Sequence, residues 1–157
     1  MKIVRSKEVE WSEGINKGKF FQRKKALAAA GSTLGCSLWE LPPGKKSFPF
    51  HMHHVTEEAM YVVSGFAKVR TPEGETAIGP GDFLQFVAGS AAHQLINDGS
   101  EPLVYLGLSA TKGVDIVEYP DSGKVASVVG TWPNVQRFIF KKADGAQYFD
   151  GESDAEG

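Results

Sequence analysis

Three of the four histidines in this 157-residue chain sit where they could do metal chemistry together. His51 and His53 are two residues apart, so in an extended strand both imidazoles leave the same face. Glu58 follows five residues after His53, and the intervening Thr56-Glu57 allows a turn that brings its carboxylate back. Two imidazoles and a carboxylate form a borderline donor set, suited to Mn, Fe, Co, Ni, Cu or Zn rather than to Ca or Mg. Taken alone, a His-x-His pair is a weak signal, because histidines also occupy ordinary strands. A third imidazole, His93, strengthens it. It lies on a separate stretch beyond Gly79-Pro-Gly-Asp and Gly89-Ser-Ala-Ala, where a turn can aim it at the first two.

Such convergence requires many short elements, and the composition provides for them. The chain has 18 Gly and 8 Pro, with a 41% apolar fraction, which excludes both long helices and wholesale disorder. Strand patterns recur from Thr33 onward, over 59–63, 66–71, 76–78, 83–87, 93–96 and 103–109, with Gly, Pro, Asn and Asp between them. An all-β sandwich or barrel is the expected class. Residues 1–19 read as an irregular arm, Leu27-Ala-Ala-Ala as one helical turn, and 125–129 and 137–140 as edge strands. Gln22-Arg-Lys-Lys reads as a solvated basic stretch, and Cys36 as a structural thiol. The division expected is an arm over 1–32, a barrel over 33–110, and an extension over 111–157 that packs on the barrel and frays at its acidic end.

The spacing of these residues resembles the cupin superfamily. Its first motif, G(X)5HXH(X)3,4E(X)6G, runs from Gly44 through His51, His53 and Glu58 to Gly65, with one extra residue before His51. The second, G(X)5PXG(X)2H(X)3N, runs from Gly81 through Gly89 and His93 to Asn97. Val87 stands where Pro is usual, and one extra residue precedes His93. The resemblance implies a double-stranded β-helix, or jelly-roll barrel, with one divalent transition metal (Mn, Fe, Ni, Zn or Co) held by His51, His53, Glu58 and His93. Stretches such as Glu57-Glu-Ala-Met-Tyr-Val-Val-Ser-Gly are similar to small single-domain bacterial cupins, often described as sugar or sugar-phosphate isomerases.

Four protein ligands on a six-coordinate ion would leave two sites for a bidentate substrate. A 2-hydroxycarbonyl compound chelated there, with the metal as Lewis acid, gives an isomerase; the same two sites on iron would suit a non-haem dioxygenase. A metal- or metabolite-binding sensor without turnover is the third reading. Glu57 is the candidate base, and it also competes with Glu58 as a ligand. His54, of opposite strand parity, should point outward. Met60 and Val62 should share the interior with Glu58, and Gln85 and Gln94 lie near the metal strands. Lys45, Lys46, Lys68 and Arg70 are the cations nearest in sequence to the site. With 17 Lys and Arg against 19 Asp and Glu, no basic surplus for nucleic acid exists. No apolar run is long enough for a membrane span, and no signal-peptide pattern follows Met1. A cytoplasmic homodimer acting on a small molecule is expected, with Trp11, Phe20 and Phe21, or Trp132, Phe138 and Phe140, at the dimer contact.

Overall fold

The computed structural model describes residues 1–111, 113–131 and 133–153. Thirteen strands, each short and closed by turns, make up nearly all of its regular structure. They are β1 (Ser12–Lys17), β2 (Phe20–Ala26), β3 (Leu34–Leu41), β4 (Met52–His53), β5 (Glu57–Ser64), β6 (Ala67–Thr71) and β7 (Gly74–Ile78). The rest are β8 (Phe83–Phe86), β9 (Gln94–Ile96), β10 (Leu103–Ala110), β11 (Val114–Tyr119), β12 (Lys124–Val129) and β13 (Gln136–Lys141). Among the described residues no helix is long and apolar enough to cross a membrane.

One face of the barrel is a six-stranded antiparallel sheet in the order β1-β2-β3-β10-β5-β8. The other is assembled from β13-β12-β11-β4 and β7-β6-β9. Residues 45–53 stitch those two pieces together. On one side Lys46 bridges Ile96 and His51 bridges His93; on the other, β4 pairs with β11, His53 opposite Val117. The stitch carries two of the three histidines, so the site is built into the seam of the sheet.

The inward face of the six-stranded sheet changes character along its length. The central strands β3 and β10 run in unbroken register: Leu41 lies opposite Leu103, Ser37 opposite Gly107, and Gly35 opposite Ser109. Across β10, Gly107 faces Met60 and Ser109 faces Glu58. At one end the inward side chains are large and apolar, and Leu41, Leu103, Val62, Leu95 and Tyr105 close into a core. Toward the other end they shrink to Ser and Gly, and the barrel cannot fill. Alternation along each strand therefore yields a packed bottom and an open top. Trp39 marks the boundary. A Cβ added at Gly107 would lie 2.8 Å from its ring, so only glycine lets the indole lie flat against β10.

Two local expectations are corrected. The irregular arm over residues 1–19 contains β1, which forms a hairpin with β2 and extends the large sheet. A β-bulge between Glu13 and Ile15 breaks its alternation. The helical turn expected at Leu27–Ala30 is absent; the Leu27 and Ala28 amides both donate to the Cys36 carbonyl instead (2.9 and 3.0 Å). Cys36 itself is half-buried, and burial pushes its thiol pKa up. Trp11 packs under Arg23 and Lys25, whereas Phe138 and Phe140 on β13 are exposed; Trp132 lies outside the described residues.

The closed end depends on the last residue of the second motif. Asn97 is 1% exposed, and its Nδ2 donates to the carbonyls of Leu41 and Glu101 (both 2.8 Å) while its Oδ1 accepts from the Gly99 amide (3.0 Å). Replacing it strands buried backbone groups, each at a cost of about 1–3 kcal/mol. Asn97→Ala should therefore lower unfolding free energy by at least about 2 kcal/mol in chemical denaturation. A loss below about 0.5 kcal/mol, the range of ordinary surface changes, would refute that role.

Candidate metal centre

The seam and β5 bring three imidazoles to one carboxylate. Glu58 Oε2 lies 3.1 Å from His93 Nε2, 3.6 Å from His53 Nε2 and 3.9 Å from His51 Nε2. Each ring is positioned by the strand that carries it. His51 and His93 form an antiparallel bridge, exchanging backbone hydrogen bonds of 3.3 and 2.8 Å. His53 sits on β4, and its parity with His51 turns both rings inward, as the spacing predicts.

Two rings have their tautomers set from behind. His51 Nδ1 lies 2.7 Å from the Pro49 carbonyl, which can only accept, so Nδ1 carries the proton and Nε2 presents a lone pair. His53 Nδ1 donates to Asp115 Oδ2 at 2.5 Å, leaving its Nε2 equally bare. Asp115 is 2% exposed, and its other oxygen accepts from the Val55 amide at 2.9 Å. Burial opposes its charge, but hydrogen bonds from His53, Thr56 and the Val55 amide outweigh that and hold its pKa below the usual carboxylate range. His93 stacks on Phe86 with ring centroids 3.6 Å apart.

The electrostatics match a cation site. Burial lowers the His51 pKa to about 4, so its imidazole is neutral at pH 7. Burial also works against the Glu58 charge, yet the His93 hydrogen bond and the neighbouring His53 and His51 hold that carboxyl below its ordinary range. Two lone-pair nitrogens thus face an ionised oxygen with nothing to donate. A metal ion among them resolves the conflict. The separations suit it: donors around an ion with bonds of about 2.1 Å lie about 3.0 Å apart when adjacent and about 4.2 Å apart when opposite. His51, Glu58 and His93 offer donor atoms all within 4.8 Å of one another, close enough to hold a metal ion. His53 falls outside that group of three, although its Nε2 lies 3.6 Å from Glu58 Oε2.

Other expected residues fall elsewhere. Glu57 is corrected as a candidate base and as a rival ligand: it alternates with Glu58 along β5 and leaves the opposite face. There its Oε1 accepts from Gln85 Nε2 at 2.5 Å, which also takes Gln85 away from the site. His54 points outward to Glu118 (2.9 Å). Gln94 is buried but donates to the Phe48 carbonyl (2.7 Å) as a brace of the seam. Met60 lines the interior, and Val62 belongs to the core. Lys45 donates to the Gly18 carbonyl, Lys68 pairs with Asp98 and Arg70 binds Asp121 through two hydrogen bonds. Neither these three nor Lys46 lines the site cavity.

His51, Glu58 and His93 line a cavity of about 420 Å3, a size suited to a small molecule. Its walls include Ser37, Trp39, Phe48, Met60, Tyr105 and Ser109. Tyr105 is fully buried and donates to Gln22 Oε1 (2.8 Å), and burial raises its pKa far above normal, so it is a fixed wall rather than a proton carrier.

Comparison with known proteins agrees with this geometry. A family profile described as Cupin domain matches residues 37–109. No curated protein matches the chain. Among solved structures, a candidate sugar phosphate isomerase of Acidithiobacillus ferrooxidans is 30% identical with a TM-score of 0.77, covering 90% of each chain. A sugar phosphate isomerase of the cupin superfamily from Silicibacter pomeroyi has the same TM-score of 0.77 at 20% identity, covering 95% of this chain and 98% of that one. The polyketide cyclase RemF of Streptomyces resistomycificus shares the fold at 19% identity and a TM-score of 0.58, over 69% of this chain and 78% of its own.

The Asp115–His53 contact has a direct consequence. Losing a carboxylate behind a metal-binding histidine typically weakens metal affinity by about 10–100-fold. Asp115→Asn should weaken binding of a titrated divalent transition metal by that factor, measured by competition with a chelator; unchanged affinity would show that His53 needs no such support. With the barrel, both motifs and a 30% identical relative in agreement, the chain belongs to the cupin superfamily.

Proposed function

We propose that this cupin is a metal-dependent enzyme of the sugar or sugar-phosphate isomerase type, with His51, His53, Glu58 and His93 holding one divalent transition ion. The observation that carries this reading is the convergence of His51, Glu58 and His93, with donor atoms within 4.8 Å of one another, in the lining of a cavity sized for a small metabolite. The 30% identical relative, which is described as a candidate sugar phosphate isomerase, supports the choice of substrate class. An ion bound there would supply Lewis acidity toward a hydroxycarbonyl compound.

The chain's own residues do the positioning. Pro49 and Asp115 lock the rings of His51 and His53, so both Nε2 atoms stay aimed at one point without rearrangement. Trp39, Phe48 and Met60 form an apolar wall that keeps bulk water from the reacting carbons, and this strengthens every polar contact within. Ser37 and Ser109, in neighbouring rows on that wall, offer hydroxyls to a polyol. Glu57, on the outer face, takes no part in proton transfer.

Incubation of metal-loaded protein with a panel of aldose and ketose phosphates in D2O tests the proposal. Exchange of the C2 proton is expected on at least one of them, and it should vanish in the double variant His51→Ala/His53→Ala. Absence of exchange across the panel would contradict the isomerase reading, and O2 consumption on a phenol or thiol panel would replace it with a dioxygenase.

A further inference from the structure

The cavity that ends on the histidine–glutamate cluster has a second polar feature at its open side. Lys24, from β2 of the large sheet, and Arg137, from β13 of the opposite sheet, both line it. Neither belongs to the cations nearest in sequence to the metal motif. Lys24 lies in register with Trp39, and its Nζ sits 5.3 Å from the centroid of the Trp39 ring, so the ammonium is held against the cavity wall. Arg137 is exposed at the rim.

We infer that Lys24 and Arg137 form an anion subsite that takes the phosphate group of a phosphorylated small metabolite, whose other end faces the cluster of His51, Glu58 and His93. The inference rests on the reading of this cavity as the substrate site.

Charge bookkeeping within the cavity supports it. Glu58 is the one acidic residue lining it among the described residues, and Glu58 is engaged by the histidines. Arg137 has no carboxylate partner among the described residues, whereas Arg23, Lys68, Arg70 and Lys142 on nearby surfaces each have one. Two cations therefore face one space from opposite sheets. Burial, and then the neighbouring Arg137 charge, lowers the Lys24 pKa, as expected for a half-buried ammonium beside a like charge. A dianion between them removes that repulsion. A phosphate monoester carries about two negative charges at pH 7 and three acceptor oxygens, matching the ammonium together with the planar guanidinium fork; a carboxylate would neutralise only one of the pair. Ala28, Ala29 and Ser32, small residues of the β2–β3 connection, leave the rim open around the two cations.

Calorimetric titration of metal-loaded protein with inorganic phosphate, an aldose phosphate and the parent aldose tests the subsite. The aldose phosphate should bind at least about tenfold tighter than the aldose. Lys24→Gln and Arg137→Gln should each weaken binding of phosphate and aldose phosphate by about 10–100-fold, the usual worth of a charge-assisted contact. Binding of the aldose and the metal content should stay unchanged, and Lys24→Arg and Arg137→Lys should retain most of the affinity. Equal affinity for the phosphorylated and plain sugar would overturn the inference, as would unchanged phosphate binding in the double Gln variant. Phosphate binding that depends on both cations, without proton exchange on any sugar phosphate, would support the subsite while refuting the isomerase reading alone.

Discussion

One electrostatic constraint organises this molecule: lone pairs of the buried His51 and the half-buried His53 imidazoles are aimed at an ionised carboxylate oxygen 3.6–3.9 Å away. Only His93 Nε2, at 3.1 Å, donates to that oxygen, and the two bare nitrogens have no partner until a cation sits among them, so the grouping opposes folding. The surrounding structure holds it in place nonetheless. Asp115 and the Pro49 carbonyl occupy the far nitrogens of two rings, Phe86 packs flat on the third, and β5 brings Glu58 to the common point. Asp115 lies far along the chain from His53, and the pairing of β11 with β4 is what brings the two together. The site therefore depends on the strand order of the second sheet as much as on the ligands themselves.

The same strand order explains why the site has room above it. In β3, β5 and β10 the inward rows pass from Leu, Val and Tyr at the closed end to Ser, Gly and Glu at the open end. Core packing and cavity are thus two ends of one register. A slip by a single residue would turn every inward side chain out and destroy both. Asn97 and the turn it clamps fix that register at the closed end, which gives the final residue of the second motif a structural role rather than a chemical one.

Much of the site could be read from sequence because its geometry is local. His51 and His53 obey the two-residue period of a strand, and the Gly residues of the motifs mark turns that only certain backbones can make. Gly65, for example, has a φ of +80°, and a Cβ there would lie 2.2 Å from the Pro102 carbonyl oxygen. What sequence could not reveal is non-local. Asp115 stands in an unremarkable Val-Asp-Ile-Val stretch, and only the β11–β4 pairing gives it a partner. Lys24 reads as one of a solvated run because three consecutive basic residues hide which of them faces inward; pairing with Trp39 decides it. Glu57 is hidden for a related reason: its parity relative to Glu58 is local, but its outer-face partner Gln85 comes from β8. β1 is masked in the sequence because its bulge at Glu13–Ile15 breaks the alternation that identifies a strand.

The account stands on three imidazoles and one carboxylate sharing an ion, and X-ray absorption at the edge of the metal bound to the purified protein examines that most directly. It predicts a transition metal near one ion per chain, with a first shell of nitrogen and oxygen at about 2.0–2.2 Å and outer-shell scattering from three imidazoles. His93→Ala should remove one of them. A sulfur ligand, fewer than three imidazoles in the intact protein, or a chain that binds no transition metal when one is supplied would contradict it.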